Sequence, residues 1–251
     1  MANWQDPRST AERTGGIGAA TVGVPSATRD AGLRSYMLSV YNYMASGVLL
    51  TGIVALLFAP YAGQVLLSAS GRGLSALGWI VTLSPLGFVM AMSFGLARMR
   101  TATLQACFWG FSVAMGLSLS AIFLVYTGPS IAATFFATAG AFAGLSLVGY
   151  TTKRNLSGMG TFLTMGVFGL MIAMLIQMFF PMPGLGFAIS LLGVAIFAGL
   201  TAYDTQRLKE TYWQVAGTEM IGKVVVMGAL SLYLDFINMF QFLLSFMGDR
   251  R

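Results

Sequence analysis

The sequence predicts an all-α integral membrane protein, a bundle of seven transmembrane helices. Two observations lead to this fold class. Of the 251 residues, 57% are hydrophobic and only 9% are charged, and the mean hydropathy is +0.78, whereas soluble domains carry about 25% charged residues. The chain also contains seven apolar runs, each long enough to cross the roughly 30 Å hydrocarbon core of a bilayer as a helix. These features exclude a soluble enzyme.

The seven runs define the predicted spans, at residues 36–58, 74–97, 103–126, 130–150, 159–180, 184–206 and 222–247. The first five contain no charged residue. Proline and glycine in the separators, as at Gly128-Pro129, stop a helix and reverse the chain. Residues 1–35 are polar, with two prolines and no apolar periodicity. They are therefore predicted to be a disordered tail ahead of one transmembrane domain at residues 36–251.

The distribution of basic residues predicts the orientation, because Lys and Arg are retained in the cytoplasm. The tail and the loops on its side hold 11 of the 14 basic residues, and the other side holds Arg72, Arg250 and Arg251. We therefore expect a cytoplasmic N-terminus and an external C-terminus. No targeting signal is recognisable, so a bacterial-type inner (plasma) membrane is the expected location.

Composition also limits the chemistry. The absence of His and the single Cys107 exclude a His-ligated metal site, a catalytic histidine and an internal disulfide. The net charge of +6 does not indicate nucleic acid binding, because the basic residues are scattered between apolar runs. The lipid bilayer is the expected partner, and no cofactor is expected. Small residues in the fourth span, such as Gly140 and Gly144, favour close packing of helices.

Two acidic residues could carry function. Asp204 lies at the end of the sixth span, and Asp235 lies well inside the seventh. A charged side chain at the centre of a membrane helix costs about 2.5 kcal/mol or more, so it usually faces a partner or a water-filled cavity. If the last two spans form an antiparallel hairpin that turns near residues 216–219, the two carboxylates differ in depth by 4 residues, which is about 6 Å along a helix. The residue counts give the depth of the two carboxylates but not the rotation of their helices.

Paired carboxylates in a poorly solvated site have a defined chemistry. They resist ionising together, so one of them is expected to hold a proton, and the pair is predicted to sense protons. With both protons lost, Asp204 and Asp235 would form an oxygen site of charge minus two, which suits a hard cation such as calcium. Tyr233, Asn238 and Gln241 on the seventh span could add oxygens or hydrogen bonds.

Other interpretations remain open for both aspartates. Asp204 could be an interfacial residue bonded to water, Arg207 or Lys209, and Asp235 could form a static pair with an arginine. An intramembrane aspartyl protease also carries paired aspartates, one of them after a tyrosine as in Tyr203-Asp204. Such enzymes have Gly-x-Gly-Asp at the second aspartate, which this chain lacks at Asp235. We therefore predict a protein that is not an enzyme.

Two segments resemble the signature stretches of the Bax inhibitor family: Ala-Tyr-Asp-Thr-Gln at 202–206 and Leu-Tyr-Leu-Asp-Phe-Ile-Asn-Met-Phe at 232–240. The resemblance implies a fold with the seventh helix at its centre and a pH-sensitive calcium leak. It maps the paired aspartates of the family onto Asp204 and Asp235. It also implies that an arginine near the end of the second helix bonds to the pair in the closed state. Arg98 is the best positional match for this latch, with Arg100 as a rival, although anchoring by positive charge explains both equally well.

The same resemblance supports a second function. Bacterial relatives are linked to the modulation of membrane protease activity, and eukaryotic relatives to the suppression of cell death. The alternative is therefore a non-conducting regulator that binds another membrane protein, such as a membrane protease. In either case calcium would be a permeant or bound ion, not a cofactor. The chain departs from a compact family core in its 35-residue tail and in the long segment between Asp204 and Asp235.

Overall fold

The computed structural model describes residues 26–68, 73–182 and 184–251. These residues form eight helices, with no strand beyond two isolated bridges. The helices are α1 (Ser26–Leu66), α2 (Ala76–Gly95), α3 (Thr101–Leu119), α4 (Ile122–Val125), α5 (Gly128–Thr151), α6 (Ser157–Phe179), α7 (Leu185–Val215) and α8 (Ile221–Met247). A break at Ser120 and Ala121 separates α3 from α4.

Seven segments of the described chain are long and apolar enough to cross a membrane, with α3 and α4 counted as one. Their outward faces carry large apolar side chains, among them Leu57 at 72%, Phe94 at 80% and Phe136 at 73% exposure. An apolar surface of this extent needs lipid or protein to cover it. The predicted seven-helix membrane architecture is confirmed.

The last helix, α8, lies at the centre of the bundle. It packs against α1, α3, α5 and α7, while α2 lies on α3 and α6 lies on α7. Within the most apolar stretch of each helix, 67% of α8 is buried, against 11% of α6. α8 is nevertheless the less apolar of the two, with a mean hydropathy of 1.5 against 2.1. A helix that is buried by protein can carry polar groups that a lipid-facing helix cannot, which makes α8 the natural place for a functional site.

Four chain segments meet at one end of the bundle, namely the start of α1, the α2–α3 turn, the α5–α6 connection and the turn from α7 to α8. The start of α1 meets the end of α7, where the rings of Tyr36 and Tyr212 lie 5.3 Å apart. The α2–α3 turn meets the start of α8, where Lys223 Nζ donates to the carbonyl of Leu96 over 3.1 Å. The α5–α6 connection meets α7. We call this the basic end, because it carries Arg34, Arg98, Arg100, Lys153, Arg154, Arg207, Lys209 and Lys223.

The C-terminus lies at the opposite end of the bundle. There the amide of Thr127 donates to the carbonyl of Asp249 over 3.1 Å, and the amide of Arg251 donates to the carbonyl of Val125 over 2.9 Å. The start of α1 and the C-terminus are therefore on opposite sides, as an odd number of spans requires. Arg72, which the sequence places on the C-terminal side, lies outside the described residues.

Two helices are longer than their predicted spans. α1 begins at Ser26 and not at residue 36, and α7 continues to Val215 and not to residue 206. The predicted tail therefore falls partly on residues 1–25, outside the described residues, and partly on residues 26–35, which are helical. The 31 residues of α7 measure about 46 Å, more than the roughly 30 Å hydrocarbon core. The polar end of α7 thus extends past the lipid, where it packs on α1.

Close approach between helices occurs at other glycines than those predicted. A Cβ at Gly140 or Gly144 would meet no atom within 4 Å. A Cβ at Gly149, by contrast, would overlap the backbone carbonyl of Ala202 in α7. The backbones of α5 and α7 therefore touch two residues before the end of α5, close to the aspartate that follows Ala202 by two residues.

Candidate functional site between α7 and α8

The site begins with the buried face of α7. Thr201, Asp204, Thr205, Leu208 and Tyr212 recur at intervals of three and four residues and are all buried. This spacing places them on one side of the helix, which faces α5 and α8. Asp204 is therefore inside the bundle, eleven residues before the end of α7. The sequence placed it at the end of a span, where water would reach it.

Asp204 has a defined partner across the helix interface. The hydroxyl of Ser231 on α8 donates a short hydrogen bond to Asp204 Oδ2. The carboxylate is 9% exposed, and it also interacts electrostatically with Arg207, one turn later in α7. The alternative of an interfacial Asp204 bonded to Arg207 or Lys209 is not what the described residues show, because the side chain is buried and accepts its hydrogen bond from Ser231.

Asp235 lies one helical turn beyond Ser231 on the same helix. It is 5% exposed, and its Oδ2 atom has no hydrogen-bond partner among the described residues. Asp235 is close enough to Asp204 for the two carboxylates to interact electrostatically. A buried polar atom without a partner is costly, and a charged one more so. A proton, a water molecule or a cation would give Asp235 Oδ2 a favourable partner.

The predicted supporting residues do not gather around the pair. Tyr233 points to the other side of α8, where its hydroxyl lies 2.6 Å from Thr51 Oγ1 of α1. Asn238 donates to the carbonyl of Leu234 in its own helix over 2.8 Å. Gln241 is exposed. Only Asn238 and Gln241 share the side of α8 that carries Ser231, and they lie progressively farther along it.

The predicted latch is not engaged in this structure. Arg98 and Arg100 are both exposed at the basic end, beyond the end of α2. In the described chain, neither guanidinium forms an ion pair with Asp204 or Asp235. The contact that does tie the α2–α3 turn to α8 is made by Lys223.

Ser231 was not predicted from the sequence, although counting residues on either side of the α7–α8 turn would have identified it. A turn near residue 217 places position 231 level with position 204, and the predicted depth difference of 4 residues is the distance from Ser231 to Asp235. A hydroxyl at that level is the natural donor to the first carboxylate. In the structure the turn lies between Val215 and Ile221, and Ser231 is level with Asp204.

A second set of polar contacts fixes α7 against the α5–α6 connection. Gln206 accepts from the amide of Leu156 and donates to the carbonyl of Arg154, each over 2.8 Å. Thr205 Oγ1 lies 3.3 Å from Ser146 Oγ of α5. These contacts flank Asp204 and limit its rotation about the axis of α7.

The oxygens of the site can be compared with the needs of calcium. Two carboxylates and the hydroxyl of Ser231 offer at most five side-chain oxygens, whereas calcium takes 6–8 oxygen ligands, some of which are commonly water. No group of three or more His, Cys, Asp or Glu residues exists in the described ranges. The chemistry of the pair thus fits a calcium ion that keeps part of its hydration, not a closed structural site.

Comparison with known proteins identifies the family. Residues 33–251 match the family model described as inhibitor of apoptosis-promoting Bax1. The chain belongs to the Bax inhibitor family. The match includes both aspartates and all seven spans, so the family resemblance of the two short segments extends to the whole membrane domain.

Several bacterial proteins are similar to this chain along nearly their whole length. An uncharacterized protein of Caulobacter vibrioides is 46% identical over 234 residues, covering 88% of this chain and 91% of the relative. An uncharacterized protein of Rickettsia prowazekii is 44% identical over 225 residues, covering 89% and 93%. The inner membrane protein YbhL of Escherichia coli is 42% identical over 223 residues, covering 88% and 94%.

Proposed function

We propose that this protein is a pH-sensitive calcium leak pathway, gated by the protonation of Asp204 and Asp235. The observation that carries the proposal is the unpartnered Oδ2 atom of Asp235, which lies inside the bundle beside a second carboxylate. A fold that needed this residue only for stability would give the oxygen a donor, as Ser231 does for Asp204.

The gate would work through the charge of the pair. With a proton on one carboxylate, the site carries a charge of minus one and attracts a divalent cation weakly. Loss of that proton gives a charge of minus two in a poorly solvated place, where the attraction for calcium is strong. We therefore expect the leak to increase as the pH rises.

One face of α8 supports a path between the pair and the far end of the bundle. Ser231, Asn238, Gln241 and Ser245 are separated by seven, three and four residues, so they share one side of the helix. None of them is buried, unlike 67% of the most apolar stretch of α8. Ser231 and Ser245 are 14 residues apart, about 21 Å along a helix. This polar face would guide a cation from the end of the bundle that holds the C-terminus.

A non-conducting regulator is the second candidate, and the closure of the site favours it. Asp204 and Asp235 are only 9% and 5% exposed, so water does not reach the pair freely from either end. Such a regulator would act by binding another membrane protein, such as a membrane protease, and its aspartates would set the conformation of the bundle. Neither candidate requires a catalysed reaction.

The proposed setting is an inner membrane with the basic end in the cytoplasm. The positive-inside rule favours this orientation, because eight described basic residues lie at that end. The relative YbhL is an inner membrane protein. Calcium would then enter from the side of the C-terminus and leave toward the basic end.

Calcium uptake into liposomes tests the proposal. The purified parent and the variants Asp204→Asn and Asp235→Asn would be reconstituted, and uptake followed at pH 6, 7 and 8. Glu210→Gln is the matched control, since Glu210 is exposed on α7 six residues beyond Asp204. We expect flux that rises with pH in the parent and in the control, and flux without pH dependence in both aspartate variants. A parent that conducts no better than empty liposomes at every pH would favour the regulator.

A further inference from the structure

A lateral groove runs along the bundle between α1 and α5, outside the aspartate pair. It has a volume of about 790 Å³ and opens toward the lipid. Phe142 of α5 and Phe236 of α8 lie at its floor, with ring centroids 5.6 Å apart. Leu38 and Leu147 lie along its rims, at 52% and 63% exposure. In a membrane this groove is filled by an apolar group, such as a lipid acyl chain or an apolar protein segment.

Small side chains keep the groove open. Ala45 of α1 and Ala139 and Ala143 of α5 line it. Each of these positions would narrow the space between the helices if it carried a larger residue. The alanines of α5 therefore shape a cleft that faces lipid, in addition to any part they play in helix packing.

The length of the groove matches one leaflet. Arg34 and Leu49 line it on α1 and are 15 residues apart, which corresponds to about 22 Å of helix. One leaflet of a bilayer, with its headgroups, is about 20–22 Å thick. An acyl chain in the groove would thus run from the membrane surface at the basic end to the middle of the bilayer.

The charge at the mouth of the groove selects the headgroup. Arg34 lines the mouth and is exposed, so its donors are available. Across from it, Tyr150 also lines the groove, and Lys209 Nζ lies 5.6 Å from the centre of the Tyr150 ring. Lys209 uses one donor on the carbonyl of Tyr150, which leaves two for another acceptor. Arg34 is thus a cation at the mouth of an apolar groove, with Lys209 over the ring of Tyr150, and this arrangement suits an anionic phosphate above an acyl chain.

We propose that the α1–α5 groove is a binding site for one anionic phospholipid of the leaflet at the basic end. Its acyl chain lies between Ala45 and Ala143, and its phosphate lies at Arg34. This site is separate from the proposed calcium gate, and it does not depend on whether the protein conducts.

Native mass spectrometry of the full chain in detergent tests this site. The protein would be delipidated and titrated with phosphatidylglycerol or with phosphatidylcholine, and the bound lipids counted. We expect one phosphatidylglycerol to be retained about fivefold more tightly than phosphatidylcholine, which is the effect of about one favourable basic contact. Arg34→Gln should remove this preference, and Arg98→Gln, at the same end but outside the groove, should retain it.

A second variant tests the groove itself. Ala143→Phe should block retention of both lipids, while Ala141→Phe, exposed on the same helix but outside the groove, should leave it unchanged. Size-exclusion elution and helical circular dichroism would show that both variants fold. Undiminished lipid retention in folded Ala143→Phe would overturn the proposal. So would equal retention of the two lipids by the parent, or a parent dimer that Ala143→Phe dissociates, since the groove would then hold a second copy of the chain.

Discussion

Ser231 donates a hydrogen bond to Asp204 across the α7–α8 interface, while Asp235, one turn farther along α8, has a carboxylate oxygen that no described residue contacts by a hydrogen bond. The two acids therefore differ in their surroundings although they lie side by side. Asp204 has a donor in Ser231 and a basic neighbour in Arg207, whereas Asp235 has the negative charge of Asp204 near it. Such an unequal pair is suited to holding one proton at a time.

Removal of the hydroxyl of Ser231 should weaken the leak. A hydrogen bond to a charged group contributes about 1.5–3 kcal/mol, and Ser231→Ala removes the donor that stabilises ionised Asp204. We expect calcium flux into liposomes at pH 8 to fall by about tenfold or more, which corresponds to the lower part of that range. Ser84→Ala, in which the lost hydroxyl bonds only within α2, is the control. Equal flux in the parent and Ser231→Ala would contradict a role for this bond.

Replacement of Asp235 by leucine should separate stability from activity. The substitution removes a buried carboxylate whose Oδ2 atom has no partner among the described residues, so the folded state should gain about 1 kcal/mol or more, and Tm should rise by roughly 2–4 °C. Flux should be lost at the same time. Differential scanning fluorimetry in detergent and liposome uptake measure the two effects, with Asp249→Leu at the exposed C-terminus as the control. A lower Tm together with lost flux would indicate that Asp235 is a structural residue.

Tyr233 should contribute to stability and not to the pH response. Its hydroxyl bonds to Thr51, and its ring packs edge-on against Phe111 with centroids 4.9 Å apart. Tyr233→Phe should cost about 0.5–1.5 kcal/mol of stability and leave the pH dependence of the flux unchanged. Tyr61→Phe, at an exposed position, should change neither. An altered pH profile in Tyr233→Phe would show that Tyr233 takes part in the function of the aspartate site.

The sequence predicts the depth of the site better than its rotation. The turn position sets which residues of α7 and α8 lie at the same level, so the depth of Asp204 and Asp235 follows from counting. Which side chains face each other depends on how the helices are rotated, and that is decided by contacts such as Gly149 on Ala202 that no spacing reveals. Tyr233 is the exception. Two residues along a helix turn the side chain by about 200°, so its position opposite Asp235 could have been predicted.

Some helix ends can also be predicted from the sequence, whereas others depend on contacts between distant residues. For α5 the predicted span of 130–150 agrees with the observed Gly128–Thr151 to within two residues, because Gly, Pro and polar residues mark both ends. For the start of α1 and the end of α7, the predicted and observed positions differ by about ten residues. Hydropathy indicates where a helix leaves the lipid and not where the helix ends. The contact between Tyr36 and Tyr212 stabilises these polar extensions, and it joins residues far apart in the sequence.

The contact between α5 and α7 should tolerate no side chain at Gly149. A Cβ there would overlap the carbonyl of Ala202, and overpacking of this kind typically costs 1–3 kcal/mol, about the range expected for Gly149→Ala. Gly144→Ala is a matched control five residues earlier on the same helix, where a Cβ meets nothing within 4 Å. We expect a lower Tm only for Gly149→Ala. Similar melting of the two variants would mean that the helices do not touch at this point.

The orientation of the bundle can be tested with single cysteines at its two ends. After Cys107→Ala removes the native thiol, Lys153→Cys places a thiol at the exposed basic end and Arg251→Cys places one at the exposed opposite end. The positive-inside rule predicts that a membrane-impermeant maleimide, added to bacterial cells with a permeable outer membrane, labels only Arg251→Cys. Lysis of the cells should expose Lys153→Cys and provides the control for its reactivity. The reverse pattern would place the polar face of α8 on the cytoplasmic side and reverse the direction of the proposed calcium path.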